Sequence, residues 1–149
     1  MKSLVRAGIV LSLLLLPASG ISAAGPDLAE VLAGADWSKM ETITVTLTEY
    51  AFSPSPVVLK EGIPTKLVLK NAGKEAHYFV AEKFFTAIAT RKIQGSDGEV
   101  KAPYFTAVEV YPGKTLEWFL VPTQKGTFDL LCTIKGHAEH GMKGMIEVR

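Results

Sequence analysis

The chain has 149 residues, and its 16 lysines and arginines against 15 aspartates and glutamates give a formal net charge of +1 at pH 7. This length fits a single domain. The near-neutral charge argues against nucleic acid or an anionic membrane surface as the main partner. The chain has one cysteine, so an internal disulfide is excluded.

Residues 1–24 have the pattern of a secretory signal peptide. Lys2 and Arg6 form a positive start, which an apolar stretch and a run of small residues follow. The apolar stretch is too short to span a bilayer. We therefore expect cleavage after Ala23 or Ala24 and a soluble periplasmic product without stable membrane insertion; an uncleaved anchor is the alternative. Cleavage would leave 14 basic and 15 acidic side chains.

Residues 25–40 are predicted to form an N-terminal arm or a short helix. Asp27 is suited to cap the helix, and Glu30 stands three residues later, as in a capping box.

Residues 41–149 show the pattern of an all-β domain. Apolar and threonine side chains alternate from Glu41 to Thr48, which indicates a half-buried strand. Further strands are predicted at residues 57–59, 66–70, 76–81, 108–111, 116–121, 128–132 and 145–148. Turn signals at regular spacing favour an antiparallel Greek-key β-sandwich. Residues 83–103 are predicted to be a short helical and loop insertion, helical from Phe84 to Lys92.

The C-terminal segment contains a thiol, an imidazole and a thioether at equal spacing. Four residues separate Cys132 from His137, and four more separate His137 from Met142. Thiolate and thioether suit copper(I), and a trigonal site of two histidines and one cysteine with a weak axial methionine is the blue-copper geometry. His77 can supply the second imidazole. The pattern uses the only cysteine and two of the three histidines.

Two neighbouring residues compete for a place in this set. His140 lies on the same loop as His137 and is predicted to be a solvated neighbour. Met145 falls at the start of the last predicted strand and is predicted to pack inward. Two histidines and one cysteine would also hold zinc, which would leave the methionine without a role.

The pattern Gly-x-Phe-x3-Cys-x4-His-x4-Met-x-Gly, with Asn-x-Gly-x3-His upstream, resembles the cupredoxins, the small blue-copper proteins. The spacing is similar to that of rusticyanin and auracyanin, and the longer match resembles exported bacterial copper-binding proteins of unassigned role. The resemblance covers about residues 41–149. One departure is Tyr78, which stands where several cupredoxins have a small polar residue that braces the cysteine loop.

The resemblance implies one mononuclear type 1 copper per chain. It implies that His77, Cys132 and His137 are the strong ligands and that Met142 is the axial ligand. The implied function is that of a monomeric one-electron carrier, not an enzyme, with a redox protein such as a cytochrome or an oxidase as partner. Copper handling in tolerance, delivery or sensing is the alternative, and an interaction module with a vestigial site is a third possibility.

Overall fold

The computed structural model describes residues 25–149, so the predicted signal peptide at residues 1–24 lies outside the described residues. Two α-helices, α1 (Leu28–Gly34) and α2 (Glu82–Phe85), and a short 3-10 helix (Trp37–Lys39) accompany the strands. The strands are β1 (Glu41–Thr48), β2 (Ala51–Ser53), β3 (Val57–Leu59), β4 (Thr65–Asn71), β5 (His77–Phe79), β6 (Ile88–Gly95), β7 (Gly98–Val100), β8 (Val108–Val110), β9 (Thr115–Pro122), β10 (Gly126–Leu131) and β11 (Lys143–Val148).

The described strands pair into three sheets. The largest has the order β2-β1-β4-β9-β6-β7, the second has the order β10-β11-β3, and β5 pairs with β8 alone. Most neighbouring strands are antiparallel, as predicted, but β1 is parallel to β4 and β3 is parallel to β11. The two larger sheets are therefore mixed rather than purely antiparallel, and the β5–β8 pair is antiparallel.

One hydrophobic core lies between the two larger sheets. Alternation in β1 buries Val45 and Leu47 and leaves the threonines at the surface side, as the period-two pattern predicts. Side chains of both sheets belong to the same buried cluster, with Trp118 of β9 among its largest members. The all-β sandwich predicted from the sequence is confirmed.

The segment after β5 differs in part from its predicted structure. A short helix is present, but it ends at Phe85, and the residues predicted to be helical up to Lys92 form β6 instead. Strand β6 pairs along its length with β9, from Ile88 opposite Pro122 to Gln94 opposite Glu117. This long-range pairing overrides the local helix-like spacing of apolar residues.

The predicted N-terminal helix is present as α1. The Asp27 carboxylate accepts hydrogen bonds from the N–H groups of Ala29 and Glu30, so Asp27 is the N-cap. The helix contacts β6, and the Arg91 guanidinium lies 4.5 Å from the centroid of the Trp37 ring. Within residues 25–149, no helix is long and apolar enough to cross a membrane.

Candidate metal centre

Main-chain hydrogen bonds link the end of β5 to the end of β10 beside the predicted ligands. The N–H of Val80 donates to the Leu131 carbonyl at 3.1 Å, and the N–H of Leu131 donates to the Val80 carbonyl at 3.0 Å. This bridge brings His77, the first residue of β5, next to Cys132, which directly follows β10.

The loop from Cys132 to Met142 is closed by its own main chain. The Met142 N–H donates to the His137 carbonyl at 2.9 Å, and the Cys132 N–H donates to the Met142 carbonyl at 3.2 Å. Gly136 and Gly141 have φ angles of +88° and +103°, which favour glycine. The two glycines allow the loop to return to its starting point.

Three ligand-type side chains converge in the protein interior. The donor atoms of His77, Cys132 and His137 lie within 4.8 Å of one another, and each residue is at most 4% exposed. The two Nδ1 atoms are 3.3 Å apart, and Cys132 Sγ lies 3.4 Å from His137 Nδ1. Ligand atoms about 2.0–2.3 Å from a shared ion lie roughly 3.3–3.8 Å apart at tetrahedral to trigonal angles. These distances suit one metal ion.

The chemistry of the donor atoms suits copper. Two imidazoles and one thiolate can bind copper or zinc. Met142 is fully buried, and its main chain is bonded to both Cys132 and His137. A thioether is a soft donor, so a methionine beside this cluster favours copper over zinc.

Both histidine rings direct Nδ1 toward the cluster and have a carboxylate near Nε2. His137 Nε2 is 2.8 Å from Glu75 Oε2, a hydrogen-bond distance. His77 Nε2 is 3.5 Å from Glu49 Oε1, and among the described residues this buried nitrogen has no hydrogen-bond partner. Burial lowers the pKa of His77, although the Glu49 carboxylate opposes that effect. The neutral ring is the form that binds metals.

The Cys132 sulfur accepts a hydrogen bond from the main chain. The Tyr78 N–H lies 3.4 Å from Sγ, so the backbone after the first histidine contacts the thiol even though the side chain there is not small. The Glu109 carboxylate raises the pKa of the Tyr78 hydroxyl.

The competing residues lie outside this cluster. His140 is exposed, its Nδ1 donates to the Gly136 carbonyl at 2.6 Å, and its ring stacks on Tyr50 with centroids 4.8 Å apart. Met145 is 45% exposed, so the prediction that it packs inward is wrong. Met145 lies on the outward face of β11, and Ile146 and Val148 lie on the opposite face, which points to the core.

Three residues around the site were not predicted from the sequence. They are Glu49, Tyr50 and Glu75, and the Tyr50 ring meets His137 edge to face at 5.1 Å. Glu75 stands two residues before His77, and this proximity is the one available signal. Glu49 and Tyr50 follow β1 and belong to no recognisable motif.

Comparison with known proteins gives one family and one curated relative. The cupredoxin-like domain family matches residues 21–146. A copper-resistant cuproprotein, CopI, of Rubrivivax gelatinosus is 28% identical over 109 residues, which cover 72% of this chain and 66% of the relative. The match thus spans just under two thirds of that relative's length.

Several solved structures have a similar fold. Auracyanin from Roseiflexus castenholzii is 20% identical with a TM-score of 0.52, over 78% of this chain and 99% of auracyanin. A multicopper oxidase from Pseudomonas thermotolerans is 18% identical with a TM-score of 0.60, over 77% of this chain and 31% of the oxidase. At these identities the likeness concerns the fold alone.

Proposed function

The chain belongs to the cupredoxin-like domain family, and on that premise we propose that it binds one mononuclear type 1 copper and works as a one-electron carrier. The observation that carries this proposal is the convergence of three buried donor atoms from His77, Cys132 and His137. We assign these residues as the strong ligands and Met142 as the weak axial ligand. Copper held there would supply a reversible one-electron couple.

The protein would supply a set of ligands that is shielded from water. Burial excludes water from the three side chains, and the pKa of His77 is lowered by that burial. The hydrogen bond from the Tyr78 N–H stabilises the Cys132 thiolate, and Glu75 holds the His137 ring by Nε2. A site of this kind keeps its ligands in place while an electron enters or leaves.

The Cys132→Ser variant tests the assignment. The wild-type protein should bind one copper per chain and show the intense visible band of a copper–thiolate bond. The variant should lose the band, because the chain has no other thiol. It should keep the far-ultraviolet circular dichroism of the β-fold, because serine is similar in size to cysteine. A variant with an unchanged visible spectrum would exclude a type 1 site.

Copper handling is the second candidate, and two observations favour it. His137 is 4% exposed and its Nε2 is bonded to Glu75, so the ligand edge that a redox partner would approach is covered. The curated relative is named a copper-resistant cuproprotein. In this reading the same site would bind copper for tolerance, delivery or sensing.

We propose a carrier rather than an enzyme because the chain lacks the residues for a second, catalytic copper cluster. The mononuclear site uses two of its three histidines, and the sequence has no His-x-His pair. We propose a redox protein such as a cytochrome or oxidase as partner. It would dock near two exposed lysines, Lys135 in the loop from Cys132 to Met142 and Lys143 at the start of β11.

We also propose export to the periplasm by cleavage of residues 1–24, which would leave a monomeric domain at residues 41–149 preceded by the arm at residues 25–40. N-terminal sequencing of the protein from the periplasmic fraction would test the cleavage. A first residue other than 24 or 25 would contradict the assigned cleavage site.

A further inference from the structure

Each candidate ligand histidine has a carboxylate near Nε2, the ring nitrogen that is not directed toward the cluster. Glu75 Oε2 lies 2.8 Å from His137 Nε2, and Glu49 Oε1 lies 3.5 Å from His77 Nε2. The proposed ligand set uses neither acid. Carboxylates at both rings need an explanation, because the thiolate of the proposed site already brings one negative charge.

The two acids are joined through the chain segment that precedes His77. Glu49 Oε1 accepts the N–H groups of Lys74 at 2.6 Å and of Glu75 at 2.7 Å. The Glu75 N–H is also the main cause of the lowered pKa of the Glu49 carboxyl. Displacement of the Glu49 carboxylate would therefore disturb the backbone that carries Glu75.

Gly73 makes this close approach possible. A Cβ atom at residue 73 would lie 2.5 Å from Glu49 Oε1, well inside contact distance. Glycine is therefore needed here for space, because a side chain would meet the carboxylate. It is not needed for a special backbone conformation, since its φ is not in the left-handed region.

We infer that Glu75 and Glu49 are positioning residues that hold the His137 and His77 rings with Nδ1 toward Cys132, and that their charge makes the site favour Cu(II) over Cu(I). This inference rests on the proposed copper site. It assigns a role to two residues that the cupredoxin ligand pattern does not include.

The physical basis is second-layer hydrogen bonding together with charge. A carboxylate that accepts Nε2–H fixes the tautomer with an unprotonated Nδ1 and makes that nitrogen a better ligand. Two fixed negative charges close to the site also stabilise the more positive metal state more than the less positive one. His77 Nε2, buried without a hydrogen-bond partner among the described residues, needs only a small shift to donate to Glu49.

The first measurement uses the metal-free protein, so that its outcome does not depend on copper. Nitrogen-15 NMR of the imidazole rings reports which ring nitrogen has the proton. We expect the Nε2–H tautomer for His137 in the wild type and in Glu75→Gln, whose side-chain oxygen can still accept the proton. Glu75→Ala should give a mixture. The exposed Glu139 lies on the same loop as His137, and Glu139→Ala is the matched control.

The second measurement compares Cu(II) and Cu(I) affinities at fixed pH. Glu75→Ala should weaken Cu(II) binding about tenfold more than Cu(I) binding, within the range seen when a second-layer partner of a metal ligand is lost. A tenfold change in that ratio equals a rise of about 59 mV in the one-electron reduction potential. Glu75→Gln should show the potential shift with the tautomer retained, and Glu139→Ala should show neither effect.

Gly73→Ala and Glu49→Gln test the second acid. Both should raise the potential in the same direction as Glu75→Ala, Gly73→Ala because the added methyl group displaces the Glu49 carboxylate. Far-ultraviolet circular dichroism checks that each variant folds, and Glu49→Gln serves if Gly73→Ala does not fold.

The outcomes separate this inference from the proposed function. Unchanged tautomers in Glu75→Ala would overturn the positioning role. Potentials in Glu75→Ala and Glu49→Gln equal to that of Glu139→Ala would overturn the Cu(II) preference. A wild-type protein that binds no copper but shows the expected tautomer pattern would refute the proposed function and the Cu(II) preference, and would leave the ring-positioning role supported.

Discussion

Met142 is the ligand candidate whose contribution depends most on geometry. Its side chain is fully buried, and its N–H donates to the His137 carbonyl. An axial thioether is a weak, long bond that tunes the potential rather than anchoring the metal. We expect Met142→Gln to retain copper and colour but to shift the potential, whereas His77→Ala or His137→Ala should weaken copper binding far more. Copper titration and voltammetry would measure both effects.

A second methionine provides the control for this experiment. Met145 has the same chemistry but is 45% exposed on β11. Met145→Gln should leave the copper affinity, the spectrum and the potential unchanged. If Met142→Gln lost copper as completely as the histidine variants, the assignment of Met142 as a weak axial ligand would be wrong.

The three strong ligand candidates could be predicted from the sequence because their spacing and residue types are specific. The structure brings the donor atoms of His77, Cys132 and His137 together, while the assignment of the four residues as copper ligands stays a prediction. Glu49 and Glu75 could not be predicted, since acidic residues are common and their contacts with the rings depend on how β1 and the segment before β5 meet.

At the level of elements, Asn71 connects β4 to the segment that positions His77. Its Nδ2 donates to the carbonyls of Glu75 at 2.7 Å and Val110 at 2.8 Å, and its Oδ1 accepts the Gly73 N–H at 2.8 Å. The residue is 1% exposed, so these groups cannot turn to water instead. The sequence motif that includes Asn71 therefore has a structural basis.

We expect Asn71→Ala to lower the free energy of unfolding by about 2–3 kcal/mol, because buried polar groups would lose their partners. Asn71→Asp should destabilise too, since a carboxylate oxygen would face the two carbonyl oxygens. Urea denaturation of the metal-free protein measures the change. Thr127→Ala, at an exposed position of β10, is the control and should change stability by less than about 0.5 kcal/mol. Equal stabilities for Asn71→Ala and this control would show that the network contributes little.

Strands were easier to predict than the segment between Phe84 and Lys92. The strand at residues 57–59 has the same limits in the structure, and β1 follows its alternating pattern. By contrast, Phe84, Phe85 and Ile88 have helix-like spacing, and only the pairing of β6 with β9 shows that Ile88 starts a strand. That pairing is a long-range contact, which local pattern does not reveal.

For the whole molecule, the site is an extension of the hydrophobic core. Cys132 and Met142 belong to the same buried cluster as Trp118 and the inner faces of both larger sheets. Movement of Cys132 or Met142 would therefore disturb core packing, which favours a site with one geometry. Such a site suits a carrier, whereas the covered edge of His137 suits a protein that passes copper on after a change in the loop.

Retention of copper during redox cycling distinguishes these two functions. A carrier must pass between Cu(II) and Cu(I) without releasing the metal, so we expect a reversible one-electron wave and one copper per chain after repeated reduction and reoxidation. The reason is that the loop from Cys132 to Met142 is closed by hydrogen bonds between the Met142 main chain and those of Cys132 and His137. Gel filtration after each cycle, with metal analysis of the protein peak, measures retention. Loss of copper on reduction, or its ready transfer to a metal-free acceptor protein, would contradict the carrier function and favour copper handling, because delivery requires one oxidation state to be held loosely enough to leave.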